Sequence, residues 1–320
     1  MKQIKFNRSI VSLITGGLLF LSLTAPLRAG TVSILVSDGQ HSILRYNGSG
    51  QYQGVYLSDA ARLNNIVDIA LESDQNYLDV LTSAGKIVRY GTGSTAYLGT
   101  PVTGLNHATD FEVAASGRYV VENGTTVSRY STGDNTATFL NNVWTGKTGL
   151  QDMVRNLNLG NMYATASGNI LKDTWGDGDP FTWLTGTYYD LAISPDYSYL
   201  YASDASSRTI KKINASDGTV TSFATLDLGD TGAGLTVDSS GNLYVASGEL
   251  GGFYSFNSSG TELFRFGEAQ GVVGAQDFII VSGLTDVPVL STPEPSMLGM
   301  FGIGALVCGG YAWRKKKRTA

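Results

Sequence analysis

A single cysteine in 320 residues, Cys308, excludes a disulfide framework. Histidine is nearly as scarce, at two residues, His41 and His107, and no Gly-x-Ser-x-Gly nucleophile elbow is present. Catalysis by a histidine-centred triad therefore has little to build on. Charged residues make up 15% of the chain, but 42% is hydrophobic, which supplies enough apolar surface for a core and excludes intrinsic disorder. Proline is sparse at 7 residues, whereas glycine reaches 40 and tyrosine 17, a composition that fits a turn-rich all-β protein better than a helical one.

Long apolar runs are confined to the two ends. Lys2, Lys5 and Arg8 precede a 14-residue apolar run from Ile10 to Leu23, followed by Ala25-Pro26-Leu27-Arg28-Ala29. A run this short falls below the ~17–25 residues of a membrane span, and the small residue at its end fits cleavage after Ala29, so residues 1–29 are expected to be a secretory signal peptide. At the other end, Thr292-Pro293-Glu294-Pro295 leads into an apolar stretch from Met297 to Trp313 and a basic cluster, Arg314, Lys315, Lys316, Lys317 and Arg318. As a helix this stretch reaches ~25 Å, just enough to cross a bilayer, with the basic residues holding its end on the cytoplasmic side.

This ordered set resembles the PEP-CTERM sorting signal of Gram-negative bacteria, with Pro293, Glu294 and Pro295 as the motif. The resemblance implies recognition by an exosortase-type sorting enzyme, transient residence in the inner membrane through the C-terminal helix, removal of the tail, and delivery to the cell surface or extracellular matrix. A plain single-span anchor is the alternative. Without both ends, the segment from 30 to 292 carries a net charge of about −13, against −5 for the whole chain. Nucleic acid is excluded as a partner, because phosphate binding runs on Lys and Arg; neutral glycans and divalent cations fit the charge.

Between the signals the chain repeats. First-strand patterns begin at Val67, Thr109, Gln151, Tyr189, Ala233 and Gln276, and their second residues, Asp68, Asp110, Asp152, Asp190, Gly234 and Asp277, are separated by 42, 42, 38, 44 and 43 residues. A period near 42 is the length of a four-stranded propeller blade. Third strands recur at Ser42, Lys86, Thr126, Asn169, Thr209 and Gly252, with turns such as Asp38-Gly39 and Asp217-Gly218 between strands. Segments such as VDSSGNLYVAS are similar to NHL-type propeller repeats. The first repeat, from Val32, lacks a first strand, and the last run, Asp277 to Val281, is a first strand without a blade. Joining them completes a sixth blade and removes exposed edges. The expected organisation is a signal peptide (1–29), an all-β six-bladed propeller (30–284), a linker (285–292) and the sorting signal (293–320).

Five first strands carry Asp68, Asp110, Asp152, Asp190 and Asp277, and five third strands carry Arg45, Arg89, Arg129, Lys172 and Lys212 at one equivalent position. The repeat with Gly234 instead of Asp has Ser255 instead of a base, so the two features co-occur. Structural ion pairing, within a blade or between neighbours, is the reading this favours, because a half-buried charge needs a partner. A calcium ring of inward carboxylates is the functional alternative. His107 precedes the Asp110 strand and is the one weak candidate for a general base; His41 lies in a turn. Repeat four carries Trp175, Phe181 and Trp183, aromatics suited to stacking on sugar rings, and Asp173, Asp177 and Asp179, weak candidates for a cation site. No cofactor is expected, calcium being the alternative. The expected function is a surface or matrix module binding polysaccharide or a surface protein; the rival is a propeller hydrolase or lyase, similar to lactonases or streptogramin lyases, with a metal in the channel.

Overall fold

The computed structural model describes residues 32–72, 75–132, 136–174, 178–227, 234–247, 252–267 and 278–282. Blade one contains β1 (Val32–Ser37), β2 (Ser42–Asn47) and β3 (Tyr52–Ser58). Blade two follows as β4 (Ile66–Leu71), β5 (Tyr77–Thr82), β6 (Lys86–Gly91) and β7 (Tyr97–Thr103). Blade three is β8 (Ala108–Ala114), β9 (Gly117–Glu122), β10 (Thr126–Tyr130) and β11 (Phe139–Trp144). Blade four is β12 (Leu150–Asn156), β13 (Asn161–Ala166), β14 (Asn169–Thr174) and β15 (Phe181–Leu184). Blade five is β16 (Tyr188–Ile193), β17 (Tyr199–Asp204), β18 (Thr209–Asn214) and β19 (Val220–Thr225). Blade six is β20 (Gly234–Val237), β21 (Leu243–Ala246), β22 (Phe253–Phe256) and β23 (Glu262–Phe266), after which β24 (Phe278–Ser282) returns to blade one.

The six four-stranded antiparallel sheets make an all-β six-bladed propeller. Its closure is the one expected from the sequence: β24 pairs with β1 from Val32↔Ser282 to Val36↔Phe278 and supplies the missing innermost strand of blade one. Five strands of the other blades take that innermost place: β4, β8, β12, β16 and β20.

Burial explains the repeat pattern. Second strands lie between neighbouring blades and are buried on both faces, as in Asn161–Ala166, whereas outermost strands begin exposed, as in Tyr52–Ser58. The apolar clusters sit between blades: Leu35, Ile43 and Val281 of blade one pack on Ile69 and Val80 of blade two. Tyr119, Val127 and Trp144 of blade three pack on Met153 and Met162 of blade four. Each fully buried large apolar side chain contributes roughly 1.5–3 kcal/mol, so the ring is held by its blade interfaces as much as by its sheets. The β5–β6 turn within blade two has strict steric demands. Gly85 has φ +69, and a Cβ there would run into the Leu105 carbonyl oxygen, which glycine alone avoids.

The expected signal peptide, linker and sorting signal lie outside the described residues, as do Asp277, Trp175 and Asp177. Among the described residues no helix is long and apolar enough to cross a membrane.

Candidate functional site

The first-strand carboxylates occupy one repeated local geometry. In β4, β8, β12 and β16 the pairing with the second strand shifts register at Asp68, Asp110, Asp152 and Asp190. In these four strands the aspartate sits at the bulge, where an extra residue tilts the strand and re-aims its side chain.

The carboxylates reach the next blade. Asp68 Oδ2 accepts the Phe111 N–H at 2.7 Å, Asp110 Oδ2 accepts the Met153 N–H at 3.0 Å, and Asp152 Oδ2 accepts the Leu191 N–H at 2.5 Å. In each case the donor is the residue just after the next blade's own aspartate. A charged acceptor on a backbone donor is stronger than a neutral one, so these bonds staple successive innermost strands together.

The third-strand cations meet other groups. Arg45 Nε donates to Ser33 Oγ at 3.1 Å. Arg89 pairs with Asp79, directly opposite it on β5, at 2.8 Å, and with Glu72. Arg129 donates to the Ser116 carbonyl through Nε and Nη2, at 3.1 and 2.6 Å. Lys172 sits 4.7 Å from the Trp183 ring centre and Lys212 4.1 Å from that of Tyr199. Burial lowers the Lys172 pKa from its ordinary value. Arg129, Lys172 and Lys212 each stand opposite a second-strand tyrosine, Tyr119, Tyr163 and Tyr201, so cross-strand register hands each cation an aromatic neighbour. The set does include a structural ion pair, at Arg89, but its described acids are Asp79 and Glu72, and the described bonds of Asp68, Asp110 and Asp152 go to backbone. The physical reason is the bulge, which aims these carboxylates along the ring at the next innermost strand.

The sequence reading overlooked the most buried charges. Asp79 and Arg89 are joined by Arg118 of blade three, whose Nε donates to Asp79 Oδ2 at 2.8 Å and whose Nη2 donates to Glu72 at 3.1 Å. Asp79, Arg89 and Arg118 are fully buried. Burial pushes the Asp79 pKa up to about 6 while Arg89 pulls it down. Between blades three and four, Arg155 Nε pairs with Glu112 at 2.6 Å. The signal that was available for the first network is Asp79 itself, a charge inside the apolar run Leu78 to Leu81.

His107 lies just before β8 at φ 44, exposed, with Nδ1 2.7 Å from Asn106 Oδ1. His41 is in the β1–β2 turn, where its backbone N–H donates to Asp38 at 2.9 Å. Thr109, Gln151 and Tyr189, each preceding an aspartate of the ring, are the exposed residues of their strands.

In blade four, Trp183 is half-buried against Tyr163, with ring centres 5.1 Å apart, while Phe181 is 54% exposed. The candidate cation ligands separate: Asp173 is buried and accepts the Trp144 indole N–H at 2.7 Å, and Asp179 is exposed 3.3 Å from Lys147 Nζ. Among the described residues no three His, Cys, Asp or Glu gather as a metal site would require. Beside Asp173 a crevice of about 250 Å³ opens between blades three and four, lined by Tyr119, Arg129, Asn141, Asn142, Met162 and Asp173 among others.

Residues 291–318 match the family described as the PEP-CTERM protein-sorting motif. The chain carries a PEP-CTERM sorting signal. That PEP-CTERM signal marks an exported, membrane-transiting protein recognised by an exosortase-type enzyme. No curated protein matches the PEP-CTERM chain. Among solved structures, a chain of a nidogen/laminin complex is 13% identical with a TM-score of 0.67, covering 79% of this chain and 100% of its own. A chain of the mitotic checkpoint complex is 12% identical with a TM-score of 0.54, covering 73% of this chain and 75% of its own. Likeness at this identity is a likeness of fold.

Proposed function

We propose that the propeller is an exported binding module, retained at the cell surface or in the extracellular matrix after its sorting signal has been processed, and that its ligand is a polysaccharide. The observation that supports this reading is the use of the inner carboxylates: Asp68, Asp110 and Asp152 each accept a backbone N–H of the neighbouring blade. These bonds help hold a rigid ring, which suits a scaffold that presents loops and crevices. The net charge of about −13 over residues 30–292 favours uncharged polymers over anionic ones. Affinity electrophoresis of the exported protein through gels containing neutral polysaccharides is the direct test. Retardation by a neutral polymer supports the reading; unchanged migration in all of them, alongside turnover of a lactone or glycan by the same preparation, would replace it with the enzymatic alternative.

A further inference from the structure

The crevice between blades three and four has a chemical character of its own. Asp173 on β14 lines it while 97% buried, with relative exposure of 3%. Its Oδ2 is occupied by the Trp144 indole N–H, and among the described residues nothing donates to Oδ1. The second carboxylate oxygen is open to the crevice and can accept a donor that enters it.

Three further polar groups border the same space. Arg129 commits Nε and Nη2 to the Ser116 carbonyl, and its Nη1 has no acceptor among the described residues. The Asn142 amide oxygen accepts the Ser128 hydroxyl at 3.3 Å, which leaves the amide NH₂. The Asn141 amide donates to the Asn142 carbonyl at 3.3 Å, which leaves the amide oxygen. Two acceptors and two donors are therefore available around one small cavity, with Val143 and Met162 as its apolar wall.

That combination suits a polyol, because each hydroxyl both donates and accepts, whereas a simple anion or cation uses one kind of partner. The lining carries one cation, Arg129, and one anion, Asp173, so it has no net charge to select a charged ligand. A volume of about 250 Å³ is suited to one sugar ring and too small for an extended oligomer. Resting on the reading of the propeller as a polysaccharide-binding module, we propose that this crevice is the subsite for one neutral hexose unit, held by Asp173, Arg129, Asn141 and Asn142.

Trp144 is a built-in reporter, because its indole proton lies on Asp173. The exported protein, labelled with ¹⁵N-tryptophan, would be titrated with methyl glucoside, methyl mannoside, methyl galactoside and glucuronate while its indole N–H signals are followed. A saturable shift of the Trp144 signal is expected with at least one neutral hexoside, weakened tenfold or more in Asn141→Ala, an exposed position, and in Asn142→Ala. No Trp144 shift with any neutral hexoside, an equal response to glucuronate, or a response indifferent to both variants would overturn the proposal. Affinity electrophoresis separates the two levels of failure. Polysaccharide retention that survives both variants removes this subsite and keeps the module, whereas absence of retention in the unaltered protein removes the module reading itself.

Discussion

The Asp110 carboxylate accepts the backbone N–H of Met153 at 3.0 Å, so a side chain of one innermost strand is bonded to the main chain of the next. A hydrogen bond to a charged group contributes roughly 1.5–3 kcal/mol. Asp110→Ala is expected to lower stability by about that amount, and Asp110→Asn, which keeps an acceptor oxygen, by less. Urea denaturation of the two variants checks this; equal losses for both would show that the bond to Met153 is not what holds this interface.

Arg118 joins blade three to the Asp79 and Arg89 pair of blade two. Arg118→Met leaves a buried carboxylate with one cation fewer, and breaking a buried pair costs about 3–5 kcal/mol. Asp79→Asn alone is expected to be similarly damaging, because it leaves two buried guanidinium groups. The double variant should cost less than the two singles together by ~0.5–3 kcal/mol, the coupling of residues in one network. Additive losses in a double-mutant cycle would contradict that coupling.

Asp204 supplies a pH signature. Burial works against its charge, but hydrogen bonds from Ser207, Thr187 and Ser206 prevail and bring its pKa from 3.8 down to about 2. A carboxylate depressed in the folded state stabilises above its unfolded pKa and loses that contribution as pH falls through the folded value. The melting temperature of the unaltered protein should exceed that of Asp204→Ala at pH 5, and the gap should close between about pH 4 and pH 2. A gap that is constant across this range would rule out the titration of Asp204 as its source.

Ring closure rests on β24, which pairs with β1 over five residue pairs. Deleting residues 276–283 opens blade one and exposes two sheet edges, so it should depress the melting temperature far more than truncation after Leu290. Equal melting temperatures for the two truncations would mean that β24 is dispensable.

Processing follows from the PEP-CTERM match at 291–318. Intact mass of the exported protein from a host with the sorting enzyme should correspond to a chain that begins near Gly30 and has lost Lys315 to Lys317. Persistence of that basic cluster in the exported form would count against sorting by this route.

Some of this molecule is local and was therefore legible in the residues. Strand alternation, a period near 42, and the odd strand left at each end are one-dimensional patterns, and they led to six blades and to the closure by β24. The sorting signal is likewise a linear order of Pro293 to Pro295, apolar stretch and basic cluster. The partners of the charges were not legible. The co-occurrence of Asp and base across the repeats said nothing of the backbone amides of the following blade that Asp68, Asp110 and Asp152 accept, donors that no residue identity can announce. Arg118 meets Asp79 because two blades face each other across 39 residues of chain, and Asp173 faces a crevice because β10 and β11 of one blade lean over β14 of the next. Composition and period determined the number of blades; bulge geometry and the apposition of blades, which exist only after the ring has closed, decided where each charge points.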